Sequence, residues 1–137
     1  MAYRIRRVDY FYTTVNDQPG EAYQVLSQLA GLGVNLLAFH GVPMGPMRTQ
    51  LTLFPEETPK MIVAARKAGW HLDGPHRAML VQGDDELGAL ANIHQKVYEA
   101  KVNISASTGV ADGQGGFGYI LYLRPEEFER AASALGL

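Results

Sequence analysis

Cysteine is absent from the 137 residues, which excludes a disulfide framework, a zinc–thiolate site and a thiol nucleophile together. Charge is scarce: Asp, Glu, Lys and Arg make up 19% of the chain, below the roughly 25% of ordinary soluble domains. The 12 basic and 14 acidic residues leave a formal net charge of −2, so no broad cationic surface is available for nucleic-acid phosphates. No apolar run approaches the roughly 18 residues that would span a bilayer. The opening stretch Met1-Ala2-Tyr3-Arg4-Ile5-Arg6-Arg7 has no signal-peptide core. The expectation is a soluble, cytoplasmic, globular protein without a membrane or nucleic-acid partner. A surface this poor in charge often continues into another subunit, so a homo-oligomer, a dimer first, is expected as well.

What the sequence does contain is a repeat of itself. Sliding the chain along itself until Asp17 falls on Asp85 also places Gly20 on Gly88, Val34-Asn35 on Val102-Asn103, Ala38 on Ala106, Gly41-Val42 on Gly109-Val110, Gly45 on Gly113 and Leu53 on Leu121. All of these identities lie between Asp17 and Leu53, at turn glycines and strand starts. So long a period points to duplication of a small subdomain rather than to a solenoid.

Each copy therefore reads the same way. In the first, the β-branched and aromatic stretch Val8 to Val15 is a strand, and Asn16 to Gly20 is a turn. Ala22, Val25, Leu26, Leu29 and Ala30 recur at helical spacing and leave Glu21, Gln24, Ser27 and Gln28 outward. Gly33 is placed for a left-handed helix end. Val34 to His40 and Arg48 to Phe54 read as strands, and Thr58 as the N-cap of a helix with Pro59 at its first position. Met61, Ile62 and Ala65 form that helix's inner face, and Trp70-His71-Leu72 offers a short fourth strand. In the second copy Ala78 to Gln82, Val102 to Thr108 and Phe117 to Leu123 are strands. One helix there carries Leu90, Ile93 and Val97 inward, and a last helix after Pro125 carries Phe128, Ala131, Ala132 and Leu135.

The expected fold class is α+β: two ferredoxin-like βαββαβ repeats with antiparallel sheets and the helices packed on one face. The expected division is 1–73 and 74–137, with the second repeat's fourth strand truncated or absent. The stretch from Tyr3 is available as a replacement.

The strand followed by Asp17-Gln18-Pro19-Gly20, the helix, and Leu32-Gly33-Val34-Asn35-Leu36 resemble the ACT domain family. The resemblance covers nearly the whole chain as two tandem copies, the first the better match. It implies a free-standing module that binds small ligands, most often amino acids, at interfaces between paired domains, and that regulates an enzyme. It also marks Asn35 as a ligand-contacting position and Asp17 as standing where such families place Asn or Asp.

The residues support such a site independently. A free amino acid presents a carboxylate and an ammonium group close together. A helix start after Pro19 has unpaired backbone N–H groups near Gly20, Glu21 and Ala22, backed by the positive end of the helix dipole, and these suit the carboxylate. Asp17, Asn16 and Asn35 can accept hydrogen bonds from the ammonium. The candidate ligand-binding residues are Asn16, Asp17, Gln18, Pro19, Gly20, Glu21 and Asn35, with Asp85, Gly88 and Asn103 as their counterparts. The expected site joins the Asn16 to Gly20 turn to Asn35 across a repeat or subunit interface. A purely structural role stands beside this one: Asp17 as an N-cap, Gly20 for the turn, Asn35 at the strand entrance. In the second copy Asp84, Asp85 and Glu86 would repel a carboxylate, and they complement the helix dipole.

Other motifs lack their context. Gly113, Gly115 and Gly118 match a dinucleotide fingerprint, but a strand follows rather than a helix. His71, Asp73 and His76 have no recognised metal-site spacing. No nucleophile elbow or His–carboxylate pairing is present. The sequence therefore predicts no catalytic residue, no cofactor and no metal. An assembly protein that uses the fold only for pairing is the alternative reading.

Overall fold

The computed structural model describes residues 3–137. Six strands and four α-helices follow in the order β1 (Tyr3–Asn16), α1 (Glu21–Gly31), β2 (Leu36–Pro43), β3 (Arg48–Pro55), α2 (Thr58–Ala68), β4 (Asp73–Asp84), α3 (Ala89–Glu99), β5 (Ala106–Ala111), β6 (Gly116–Tyr122) and α4 (Phe128–Ala134). The protein is α+β. The chain divides into two compact units, a first unit Asp9–His76 and a second made of residues 3–8 with Arg77–Leu137.

Within the first unit the strand order is β2-β3-β1-β4, the last represented by residues 73–76; within the second it is β5-β6-β4-β1, the last represented by residues 3–8. Numbered inside each unit, both are 2-3-1-4, the ferredoxin-like order. The register repeats too. Phe11 pairs with Leu53 and Asn16 with Arg48; at the equivalent positions of the second unit Met79 pairs with Leu121 and Asp84 with Gly116, all antiparallel.

The unit boundaries fall inside strands. The division lies between His76 and Arg77 rather than after residue 73, and the second unit does not lack its fourth strand, because residues 3–8 take that place. The reason is length. β1 has 14 residues and β4 has 12, against a usual five or six per strand, so each is long enough to serve both units. Trp70, His71 and Leu72 are loop, and the strand expected there begins at Asp73.

Each unit has its own core. In the first, Phe11, Val25, Leu29, Val34, Leu51, Leu53, Met61 and Ala64 pack together. In the second, Met79, Ile93, Val97, Val102, Tyr119 and Leu121 hold the equivalent places, joined by Phe128, Ala131, Ala132 and Leu135. Fully burying a side chain of this size contributes about 1.5–3 kcal/mol. Two expected inner residues lie outward: Ile62 and Leu90 are 39% and 40% exposed. The small Ala64 and Ala89 are buried instead. Thr58 is not the N-cap of α2. Glu57 stands there without a side-chain cap, and the Thr58 hydroxyl donates to Asp9 Oδ2 at 2.7 Å.

Candidate functional site

The turn before α1 is built from backbone. The Asp17 amide donates to the Met47 carbonyl (2.9 Å), Gln18 to Asn16 (2.9 Å) and Gln24 to Gly20 (3.0 Å). Before α3 the same bonds recur at the equivalent positions: Asp85 to Gly115 (2.9 Å), Glu86 to Asp84 (2.9 Å) and Asn92 to Gly88 (3.0 Å). Gly20 and Gly88 are the N-caps, both left-handed with φ of 88° and 83°, a conformation that favours glycine. No side chain caps either helix, so Asp17 and Asp85 are not N-caps. A Cβ on Gly20 would meet nothing within 4 Å, so the corner is open.

Asn16, Asp17, Gln18 and Pro19 are exposed around that corner, and Glu21 opens α1 beside it. Asn35 lies elsewhere. It precedes β2, its carbonyl accepts from the Glu56 amide (2.8 Å), and its side-chain amide donates to Glu56 Oε2 (2.7 Å). Asn16 sits opposite Arg48 at the start of β3, whereas Leu36 sits opposite Pro55 at its end. At about 3.4 Å per residue, the length of β3 separates the turn from Asn35 within the unit. Asn103 is the exposed counterpart of Asn35 ahead of β5. Asp85 and Gly88 line a second recess of about 570 Å³, whose walls include Leu87, Leu90, Val110 and Phe117.

The larger recess is in the first unit. A cleft of about 620 Å³ lies against α1, β1, β3 and the loop after α2. Of the sequence-predicted residues, only Glu21 reaches it. Its other polar lining comes from Tyr12, Thr13, Thr14, Gln24, Gln28, Arg48, Gln50, His71 and Asp73, with Trp70, Val25 and Val15 as apolar wall. One signal for it was legible: Glu21, Gln24 and Gln28 share a helix face at spacings of three and four, and that face is the cleft wall rather than open surface. Arg48 and Trp70 carry no such local signal, because the fold alone brings them there. Neither Glu21 nor Arg48 has an ion-pair partner among the described residues.

The glycine-rich stretch is a hairpin turn between β5 and β6. Asp112 Oδ1 accepts from the amides of Gln114 (2.7 Å) and Gly116 (3.0 Å). Those bonds hold its carboxyl below the ordinary aspartate range. Among the described residues, no helix is long and apolar enough to cross a membrane.

No family model matches the chain, and no curated protein matches it either. Solved structures do. Protein BT0572 from Bacteroides thetaiotaomicron aligns with a TM-score of 0.80 at 15% identity, over 96% of this chain and 88% of that one. The ligand-free regulatory subunit of aspartate kinase from Thermus thermophilus aligns with a TM-score of 0.66 at 19% identity, over 97% and 93%. The corresponding subunit from Thermus flavus gives 0.59 at 18%, over 98% and 93%. The fold is ACT-like. An ACT-like unit puts its helices on one sheet face and its first turn at a helix start, the frame in which both the corner and the cleft are found here.

Proposed function

We propose that this protein is a small-molecule-binding regulatory module without catalytic activity of its own, that its ligand is an amino acid, and that it works in the cytoplasm as a homodimer controlling an enzyme. The observation that carries this reading is the first-unit cleft, because it combines sufficient volume with unpaired polar groups of both signs. Small-ligand pockets fall in the range of about 300–1,000 Å³. The open corner at Gly20 precedes Glu21, which lines the cleft. Asn16, Asp17, Gln18 and Pro19, exposed in the turn before Glu21, are proposed as further ligand-contacting positions. Asn35 and the second-unit residues Asp85, Gly88 and Asn103 are proposed as ligand-contacting positions outside this cleft. The likeness to regulatory subunits of aspartate kinase supports the regulatory role.

A thermal-shift screen of the standard amino acids tests the proposal. A ligand that binds only the folded form raises stability by RT ln(1 + [L]/Kd), so at least one amino acid should raise Tm in a concentration-dependent way. No shift with any of them defeats it.

One observation favours the assembly reading. All six residues of β5 are exposed, and the strand carries no charge or proline to blunt pairing along that edge. A tight oligomer indifferent to every small molecule would favour it.

A further inference from the structure

The internal duplication provides a control for the cleft. The alignment of the two repeats maps Gln24 and Gln28 onto Asn92 and Lys96, and Tyr3 onto His71. In the second unit the Tyr3 hydroxyl donates to Asn92 Oδ1 at 3.2 Å and accepts from Lys96 Nζ at 2.9 Å. The Lys96 ammonium also stands 5.5 Å from the centre of the Tyr3 ring. The chain's own phenol thus satisfies both helix side chains. In the first unit, Gln24 and Gln28 have no side-chain hydrogen-bond partner among the described residues, and both face the cleft.

The charged lining follows the same division. Glu21, Arg48 and Gln50 become Ala89, Gly116 and Gly118 at the equivalent positions. A lone exposed charge means little. Here, though, the Glu21 carboxylate, the Arg48 guanidinium and the Gln50 amide line the first-unit cleft together, beside Asp73, and none of these three side chains is kept at the equivalent positions of the second unit.

We infer that the first-unit cleft is a single-copy site for a small zwitterion, read by Arg48 and Glu21, while Tyr3 holds the corresponding place in the second unit. The guanidinium offers a planar pair of donors to a carboxylate. The Glu21 carboxylate accepts from an ammonium. A simple anion would meet repulsion from Glu21, and a simple cation from Arg48, so each alone binds poorly. The amides of Gln24 and Gln28 both donate and accept, which suits a polar remainder, and Trp70 supplies a flat apolar wall. This inference rests on the reading of the protein as a small-molecule binder, but it uses side chains rather than the helix corner.

Calorimetric titration of the full chain with each standard L-amino acid, and with acetate and methylamine, tests it. At least one amino acid should bind at one per chain, with acetate and methylamine about tenfold or more weaker. Arg48→Gln and Glu21→Gln should each weaken that amino acid by about tenfold or more, with unchanged circular dichroism. Binding that survives both substitutions, two equivalents per chain, or acetate binding as tightly, overturns the single-copy zwitterion site and leaves the small-molecule reading standing. Binding of none of the amino acids overturns that reading and the inference together.

Discussion

Gly33 and Lys101 occupy equivalent positions of the two repeats in the same left-handed conformation, with φ of 78° and 59°. Each closes a helix in the same way. After α1 the Val34 amide donates to the Leu29 carbonyl (2.9 Å) and Gly33 to Ala30 (3.1 Å). After α3 the Val102 amide donates to Val97 (3.2 Å) and Lys101 to Tyr98 (2.9 Å). This is the Schellman closure, for which glycine is the unstrained residue. The second unit keeps the motif with a residue that has a Cβ, at a cost of about 1–2 kcal/mol.

Lys101→Gly should therefore stabilise the protein, by about 0.5–1 kcal/mol after the extra chain entropy of glycine is subtracted. The Lys101 carbonyl that accepts from Arg130 Nη2 at 3.2 Å is retained in the variant. Gly33→Lys should do the reverse. Thermal denaturation of the two variants side by side checks the signs, and a loss of Tm in Lys101→Gly contradicts the account.

A second paired comparison concerns Gly41 and Gly109, which lie opposite Leu51 and Tyr119. A Cβ on Gly109 would come within 2.8 Å of the Tyr119 ring, whereas one on Gly41 would sit 3.5 Å from Leu51. The Tyr119 ring is 5% exposed and its hydroxyl is held by His94, so it has little room to yield. Gly109→Ala should cost about 1–3 kcal/mol as an overpacking substitution. Gly41→Ala should stay within about 0.5 kcal/mol, an ordinary surface change. Urea denaturation midpoints of both variants decide it.

Glu129 links β1 and β4 of the second unit to α4. It accepts from Arg7 Nη2 at 2.9 Å and from Arg77 Nη1 at 2.8 Å. The Arg7 bond first, and then the Arg77 bond, hold its carboxyl below the ordinary glutamate range. A lowered folded pKa contributes stability that is present above the unfolded value and lost as pH falls through the folded one. Glu129→Gln should thus be less stable than the parent at neutral pH, with the gap closing as pH drops below the ordinary glutamate range. Because the group is exposed, salt should shrink the gap. A gap that persists unchanged in acid contradicts the assignment.

Much of this architecture is legible in the residues themselves. The identities at Gly20/Gly88, Asn35/Asn103 and Gly45/Gly113 mark repeated backbone features, because turns and caps demand particular residue types wherever a fold is copied. The inward stripe of Val25 and Leu29 follows from helical period alone. Ile62 and Leu90 mislead because hydrophobicity does not say which side of a helix faces the sheet. The role of residues 3–8 is not local at all: their apolar residues fit a strand in either unit, and tertiary pairing decides. The candidate site divides in the same way. The corner at Gly20 is visible in sequence, since its conformation is fixed by neighbours. The cleft needs Arg48 and Trp70, which only the closed fold brings beside Glu21.

Gly20→Asp tests whether that corner belongs to the binding site. The position is left-handed, so a side chain there is strained, but Asp is among the residues that tolerate this region and its Cβ would meet no neighbour. The loss of stability should be about 1 kcal/mol, and the fold should persist. If the first-turn amides hold the ligand carboxylate, a carboxylate placed beside them would take those donors for itself and repel it. Amino-acid binding should then disappear in calorimetry while the circular dichroism spectrum stays native. Gly88→Asp makes the equivalent change in the second unit, at the same strain, and should leave binding intact. Equal losses in both variants would trace the effect to strain, and full binding by Gly20→Asp would separate the corner from the site.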